Sequence, residues 1–274
     1  MRLDVDAIRR HLDGAEALVE SLEVFSEIES TNSYLMQQPA PSAGRVGVAA
    51  TDNQTAGRGR YGRRWRSPPG SGLCLSLAYT FNAKPDNLPA ITLAVGLGVI
   101  DALERHGVND VQLKWPNDLI AANCKLGGIL TEAHNHAQPG SVPTVVTGIG
   151  LNVDLAGHAG LLSSEERAQR IIDLRSHAGV VPDRNELAAS LVSGLCRLMC
   201  EYDSRGFEPF RDQWQQRDWL RGRSVAIETP QHSVSGIGVG VADNGALMVA
   251  TAGSGIQHVT SGTVTMAEPG QSGV

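Results

Sequence analysis

The chain has 274 residues, 41% of them hydrophobic, and a formal net charge of −6. That length allows one large domain, or a core domain with a small companion. The acidic balance argues against a general nucleic-acid-binding surface, no apolar run is long enough for a transmembrane helix, and Met1-Arg2-Leu3-Asp4-Val5-Asp6 is too polar for a secretory signal.

Residues 3–13 are predicted as a short helix with Leu3, Ala7, Ile8 and Leu12 on one side. Residues 22–28 alternate like a strand. They run into Glu29-Ser30-Thr31-Asn32, whose small polar side chains suit the cap of a helix over about 32–38, stopped by Pro39. For Ser30, Thr31 and Asn32, capping and ligand binding read equally well. Residues 44–50 form a second strand, and Thr51-Asp52-Asn53-Gln54 leads into Gly57-Arg58-Gly59-Arg60-Tyr61-Gly62-Arg63-Arg64-Trp65. Four arginines, three glycines and two aromatics in nine residues oppose a helix or a central strand. Guanidinium forks and free backbone N–H groups ending in a large ring suit an anionic, partly aromatic ligand.

Residues 67–72, Ser-Pro-Pro-Gly-Ser-Gly, block regular structure. Residues 73–81 alternate as a half-buried strand, and 88–106 form a helix apolar nearly all round, hence buried. A strand at 111–114 ends in Trp115-Pro116-Asn117-Asp118. Strands follow at 125–133 and 144–153, with Gln138-Pro139-Gly140-Ser141 as a hairpin connection. Residues 157–205 turn helical. There Asp183 and Glu186 stand at capping-box spacing, and Leu187, Leu191, Leu195 and Leu198 form an apolar face. Short strands at 224–228, 237–241, 246–250 and 263–266, with a tight turn at Asp243-Asn244-Gly245, make a small all-β unit. The expected fold is α+β: a mixed, mainly antiparallel sheet with helices packed on it over 1–219, and a small β domain over 220–274.

Gly57, Gly59 and Gly62 match the dinucleotide fingerprint by letter, but Pro68, Pro69, Gly70 and Gly72 leave no helix to hold a pyrophosphate. An RNA-binding arginine–glycine segment is opposed by its single short copy in an acidic chain. A loop without a role is opposed by Trp65, which exposes apolar surface unless it covers something. The only lysines are Lys84, Lys114 and Lys125. In an arginine-biased chain, lysine at 114 and 125 suggests a need for a compact point charge. Gly127 and Gly128 after Lys125 would let the backbone approach a ligand, although a surface lysine at a strand start explains Lys125 as well. Asn152, polar on an apolar strand, is either a satisfied amide or a donor to a ligand. There is no Walker loop, no Ser-His-Asp order and no metal-ligand spacing. The cysteines, Cys74, Cys124, Cys196 and Cys200, read as reduced thiols of a cytoplasmic protein. Catalysis by these residues would rest on positioning and cationic stabilisation.

Five pieces taken in order resemble biotin–protein ligases: Ser30-Thr31-Asn32, Gly57 to Trp65, Lys114-Trp115-Pro116-Asn117-Asp118, Lys125-Leu126-Gly127-Gly128, and Gly148 to Val153. The C-terminal strands look like the family's small SH3-like β-barrel. The resemblance implies a class II synthetase-like core and a two-step reaction. Biotin's carboxylate attacks the α-phosphate of ATP to give biotinoyl-AMP, and a lysine of a biotin carboxyl carrier protein of acetyl-CoA carboxylase takes the acyl group. It implies that Ser30, Thr31, Asn32 and Gln54 hold the biotin rings, with Gly127 and Gly128 close by. Arg58, Gly59 and Arg60 would embrace the carboxylate and acyl phosphate. Lys125 would act with Arg60 in catalysis, and Arg63, Trp65, Asn117 and Asn152 would surround the adenylate. Mg2+ would shield the triphosphate without a protein metal site. The sheet starts by about residue 22, so the chain resembles the ligase-only form without the family's N-terminal DNA-binding domain, and no DNA or membrane partner is expected. Family members can pair through the sheet, which leaves a homodimer open. The alternatives are a lipoate–protein ligase, which shares fold and logic, and a biotin-responsive repressor.

Overall fold

The computed structural model describes residues 2–134, 142–158, 170–229 and 232–266. The N-terminal helix, α1 (Val5–Arg10), is shorter than expected. It starts where the Asp4 carboxylate accepts the Ala7 N–H. Strand β1 (Val19–Phe25) pairs in parallel with β2 (Val46–Thr51), and α2 (Thr31–Gln37) lies in the crossover between them. Ser30 is the N-cap of α2, its Oγ accepting from the Ser33 N–H. Capping therefore accounts for Ser30, while Thr31 and Asn32 sit in the first turn with buried side chains.

Every other pairing in the main sheet is antiparallel. Its order is β1-β2-β3-β7-β6-β5-β4, where β3 is Gly72–Thr80, β4 Gln112–Lys114, β5 Asp118–Ala121, β6 Cys124–His134 and β7 Thr144–Asn152. The expected half-buried strand β3 is buried along its whole length. Its alternation survives, but both faces are covered. Leu73, Leu75, Leu77 and Tyr79 enter the main core beneath α3 (Ile91–Arg105) and α5 (Arg184–Arg205). Ala78 on the opposite face packs with Leu35 of α2, and Cys74 and Ser76 line a cavity. Burying each of the three leucines is worth about 1.5–3 kcal/mol.

Three elements escape the sequence pattern. Strand β5 is four residues long, and it returns into β6 through Ala122-Asn123, both at positive φ (47° and 59°), without the glycine that usually marks such a turn. Helix α6 (Glu208–Arg217) is mostly polar, burying only Phe210 and Trp214. The last is β11 (Gly255–Val259). The helical stretch expected over 157–205 contains α4 (Leu174–Ala178), ended by Gly179 at φ 69°, and α5, capped by Asp183 through the Asn185 and Glu186 N–H groups. Residues 159–169, and the expected turn Gln138 to Ser141, lie outside the described residues.

The C-terminal strands form a five-stranded antiparallel sheet, ordered β11-β10-β9-β8-β12, with β8 at Ser224–Glu228, β9 at Ser233–Val241, β10 at Leu247–Thr251 and β12 at Thr263–Met266. The turn before β10 docks on the core. Trp115 Nε1 donates to the Gly245 carbonyl at 3.0 Å, and Arg211 of α6 pairs with Asp243. This docking brings β12 to the edge of the cavity.

Candidate active site

The cavity has a volume of about 630 Å³. Its floor is the face of β3, β7 and β6 opposite to α3 and α5. The 57–65 loop covers one side and β12 lies across from it. All the predicted site residues line it except Gly127. A Cβ on Gly127 would lie 2.6 Å from the Gly150 carbonyl oxygen, so this glycine serves strand packing within the sheet.

One end of the cavity is a polar network. The Thr31 N–H and hydroxyl both donate to Gln54 Oε1, at 2.8 and 3.1 Å. Ser76 Oγ lies 2.6 Å from both Thr31 Oγ1 and Asn32 Oδ1. Asn32 Nδ2 donates to the Leu130 carbonyl and to Glu132 Oε2. Gly148 makes this possible, because a Cβ there would fall 2.2 Å from Asn32 Oδ1.

Gly150, two residues along β7, does the same for Trp65. A Cβ would sit 2.4 Å from the indole Cε2. The alternating glycines of Gly148-Ile149-Gly150 thus leave one slot for an amide and one for a ring. Lys125 Nζ stands 6.0 Å from the Trp65 ring centroid and pairs with Asp118 at 2.7 Å. Beyond it Asn152 Nδ2 donates to the Ile172 carbonyl at 3.1 Å, and Asn117 Nδ2 to the Ile129 carbonyl at 2.9 Å. Both amides are satisfied by backbone, yet both stay on the cavity wall.

The 57–65 loop is a small antiparallel excursion. Trp65 N–H donates to the Gly57 carbonyl, Gly59 N–H to the Arg63 carbonyl, and Arg58 bridges Arg64. At its tip Tyr61 is exposed at φ 57°, with the Arg60 guanidinium 4.9 Å over its ring. Partial burial lowers the Arg60 pKa from its usual value, against the attraction of Tyr61 and Asp118. Arg58 goes elsewhere. Its Nη2 pairs with Glu132 Oε2 at 2.7 Å, and its Nε donates to Ser33 Oγ. Glu132 and Lys125 are seven residues apart on β6, roughly 20 Å at strand rise. The Arg58 side chain therefore belongs to the polar end and not to the Lys125 end. Arg63 reaches across to Thr263 Oγ1 at 3.4 Å.

Glu132 and Ser76 carry no sequence signal of their own, because their partners are brought together by strand register, whereas Lys114, marked by the scarcity of lysine, does line the cavity. Asp118 is the only carboxylate on the described wall. Burial pushes the Cys74 thiol on the floor up to about 11, which keeps it protonated and unreactive.

Residues 24–152 match the model of the biotin/lipoate A/B protein ligase family, and residues 221–266 match the biotin protein ligase C-terminal domain. A curated biotin–[acetyl-CoA-carboxylase] ligase of Mycobacterium tuberculosis is 32% identical over 92% of this chain and 91% of its own length. The bifunctional ligase/repressor BirA of Salmonella typhimurium is 32% identical over 90% of this chain and 73% of its own. The solved biotin protein ligase from Aquifex aeolicus in complex with biotin and ATP superposes with a TM-score of 0.75 at 26% identity, over 90% of this chain and 100% of that one. With the sheet order, the small C-terminal sheet and the motif residues all in agreement, the chain belongs to the biotin protein ligase family.

Proposed function

We propose that the chain activates biotin with ATP to biotinoyl-AMP and transfers biotin to one lysine of a biotin carboxyl carrier protein, in the cytoplasm. The observation that carries this reading is the polar end of the cavity. Ser30, Thr31, Asn32, Gln54 and Ser76 meet there over the sheet. A ureido ring offers both N–H donors and a carbonyl to such a network. The dithiolane of lipoate offers neither and would leave buried polar groups unpaired, so biotin is favoured over lipoate. In this reading the biotin carboxylate points toward Lys125 and Arg60, which line the same cavity.

In the first step a carboxylate oxygen attacks the α-phosphorus. Lys125 and Arg60 hold the two anions together and meet the charge gathering on phosphorus. Gly128 and the Gly59 backbone leave room beside them. Trp65 stacks the adenine, and Asn117, Asn152 and Arg63 bound the nucleotide. Arg58, tied to Glu132, braces the ring end of the loop. In the second step the carrier's amine attacks the acyl carbon and AMP leaves, while the loop keeps water from the anhydride. Among the described residues no cluster of three or more His, Cys, Asp or Glu could hold a metal, and Asp118 is committed to Lys125. Mg2+ would therefore arrive on the phosphates of ATP and neutralise part of their charge. We assign the catalytic unit to 1–219 and the small β unit to 220–274.

Incubation with ATP, labelled biotin and an acetyl-CoA carboxylase carrier domain should label one carrier lysine. Absence of label at high enzyme concentration rejects the reading. Displacement of biotin by lipoate in calorimetry would reject the choice of substrate.

A further inference from the structure

Arg60, Arg63 and Lys125 suit the carboxylate, the acyl phosphate and the nucleotide. A fourth cation, Lys114, closes β4 and faces the same cavity. Among the described residues no carboxylate lies within ion-pair distance of its ammonium. Asp118 attracts it but is held by Lys125 at 2.7 Å. Burial draws its pKa below the ordinary lysine range, and Lys125 and Arg63 repel it in the same direction. The position is nonetheless built. Lys114 Nζ stands 5.7 Å from the Trp219 ring centroid, Arg223 lies over the same ring at 4.5 Å, and the indole N–H donates to Asn123 Oδ1 at 3.0 Å.

Mutually repelling cations beside a ligand cavity are relieved by an anion between them. The biotin carboxylate and α-phosphate already have Lys125 and Arg60. The charge left over in the reaction is the β,γ-diphosphate of ATP. We propose that Lys114 binds these phosphates and stabilises pyrophosphate as it departs. In the step concerned, a biotin carboxylate oxygen bonds to the α-phosphorus while the bond from that phosphorus to the bridging oxygen of the β-phosphate breaks. The electron pair of the broken bond leaves on pyrophosphate, where the Lys114 ammonium meets it. A lysine that only struts Trp219 would have no such bias toward one half-reaction. The inference rests on the biotin–ATP reading and concerns only its first step.

The test uses the full chain with Lys114→Met, which keeps the aliphatic stem against Trp219. Biotin-dependent exchange between labelled pyrophosphate and ATP should fall about 10- to 100-fold, the scale of a lost charge-assisted contact. The pyrophosphate concentration for half-maximal reversal should rise by a similar factor. Single-turnover transfer from preformed biotinoyl-AMP to the carrier domain should stay within about twofold of wild type. Lys114→Arg should recover part of the exchange. An equal loss in both half-reactions, or unchanged exchange, overturns the proposal. A wild-type chain that performs exchange but no transfer leaves this proposal standing and contradicts the carrier reading, and one that performs neither removes both.

Discussion

Gly148→Ala adds one methyl group at the polar end of the cavity, and the structure says where it goes. Its Cβ would lie 2.2 Å from Asn32 Oδ1, 2.9 Å from Asn32 Cγ and 3.2 Å from Ser76 Oγ, where ordinary contact begins at 3.4 Å. Asn32 must retreat by about 1 Å, yet it is fixed from three sides by Ser76, the Leu130 carbonyl and Glu132. Losing two of these hydrogen bonds at about 1 kcal/mol each, plus overpacking strain of about 1–2 kcal/mol, gives roughly 3–4 kcal/mol against the biotin-competent arrangement. Calorimetry should show biotin affinity weakened by about 100-fold or more, with ATP affinity changed far less. Gly194→Ala, on α5 and away from the cavity, serves as the control: its Cβ meets only the Gly98 carbonyl oxygen at 3.9 Å, an ordinary contact, and biotin binding should stay within a few-fold. Biotin affinity within twofold of wild type for Gly148→Ala would refute the assignment of this end to the ring system.

Lys125→Met should leave the fold intact while biotin-dependent adenylation, followed by pyrophosphate release, drops about 10²- to 10³-fold; a smaller effect than that of Arg60→Gly would put the catalytic charge elsewhere. For Arg60→Gly, loss of the guanidinium over Tyr61 should loosen the loop tip, so that free biotinoyl-AMP accumulates in solution and non-specific lysines become labelled. Retention of the intermediate as in wild type would count against a lid role. Asp218 is a buried carboxyl whose Oδ2 has no partner, and burial raises its pKa to about 6, against the Leu220 N–H and Arg221. The folded state therefore binds its proton more tightly than the unfolded chain, so this contribution is fully present below the unfolded pKa of 3.8 and is lost as pH rises through about 6. Asp218→Asn should melt higher than wild type at pH 7.5, by up to about 2 kcal/mol of stability, and the gap should shrink to roughly a third by pH 4.5 and close below the unfolded pKa of 3.8; a gap independent of pH would contradict the burial argument.

Much of the chain was legible because its periodicities are unbroken. The all-apolar run of α3 and the alternation of β3 each allow one placement, and Pro68, Pro69 and Gly70 forbid the helix that a dinucleotide turn would need. Every site residue picked out in the sequence lines the cavity except Gly127, since unusual residues cluster there in short motifs, but much of the rest of the wall, Leu155, Trp219 and residues 262–266 among it, was not picked out as part of the site. Three things were not legible, for one reason. Ser76 is an ordinary serine until β3 sets it beneath Asn32, forty-four residues earlier. Glu132 is an ordinary acidic residue until the loop delivers Arg58 to it. Gly127 and Gly128 look alike in sequence, but the pleat turns one toward packing and the other toward the cavity. Local pattern sets elements, whereas register between distant strands sets partners. Strand β5 and helix α6 were missed on different grounds, the first too short to show a period and the second too polar to show a face.

The last strand of the small sheet has a consequence for biogenesis. Residues 262–266 line the cavity, and β12 is held there by pairing with β8. A nascent chain that has already closed its seven-stranded sheet still has a trough open on one flank. Only when these late residues emerge from the ribosome and add to β8 does the wall opposite the arginine loop exist, along with the Thr263 hydroxyl that Arg63 reaches. Any C-terminal truncation that removes β12 would therefore strip the cavity of the wall opposite the arginine loop and deprive Arg63 of its partner Thr263.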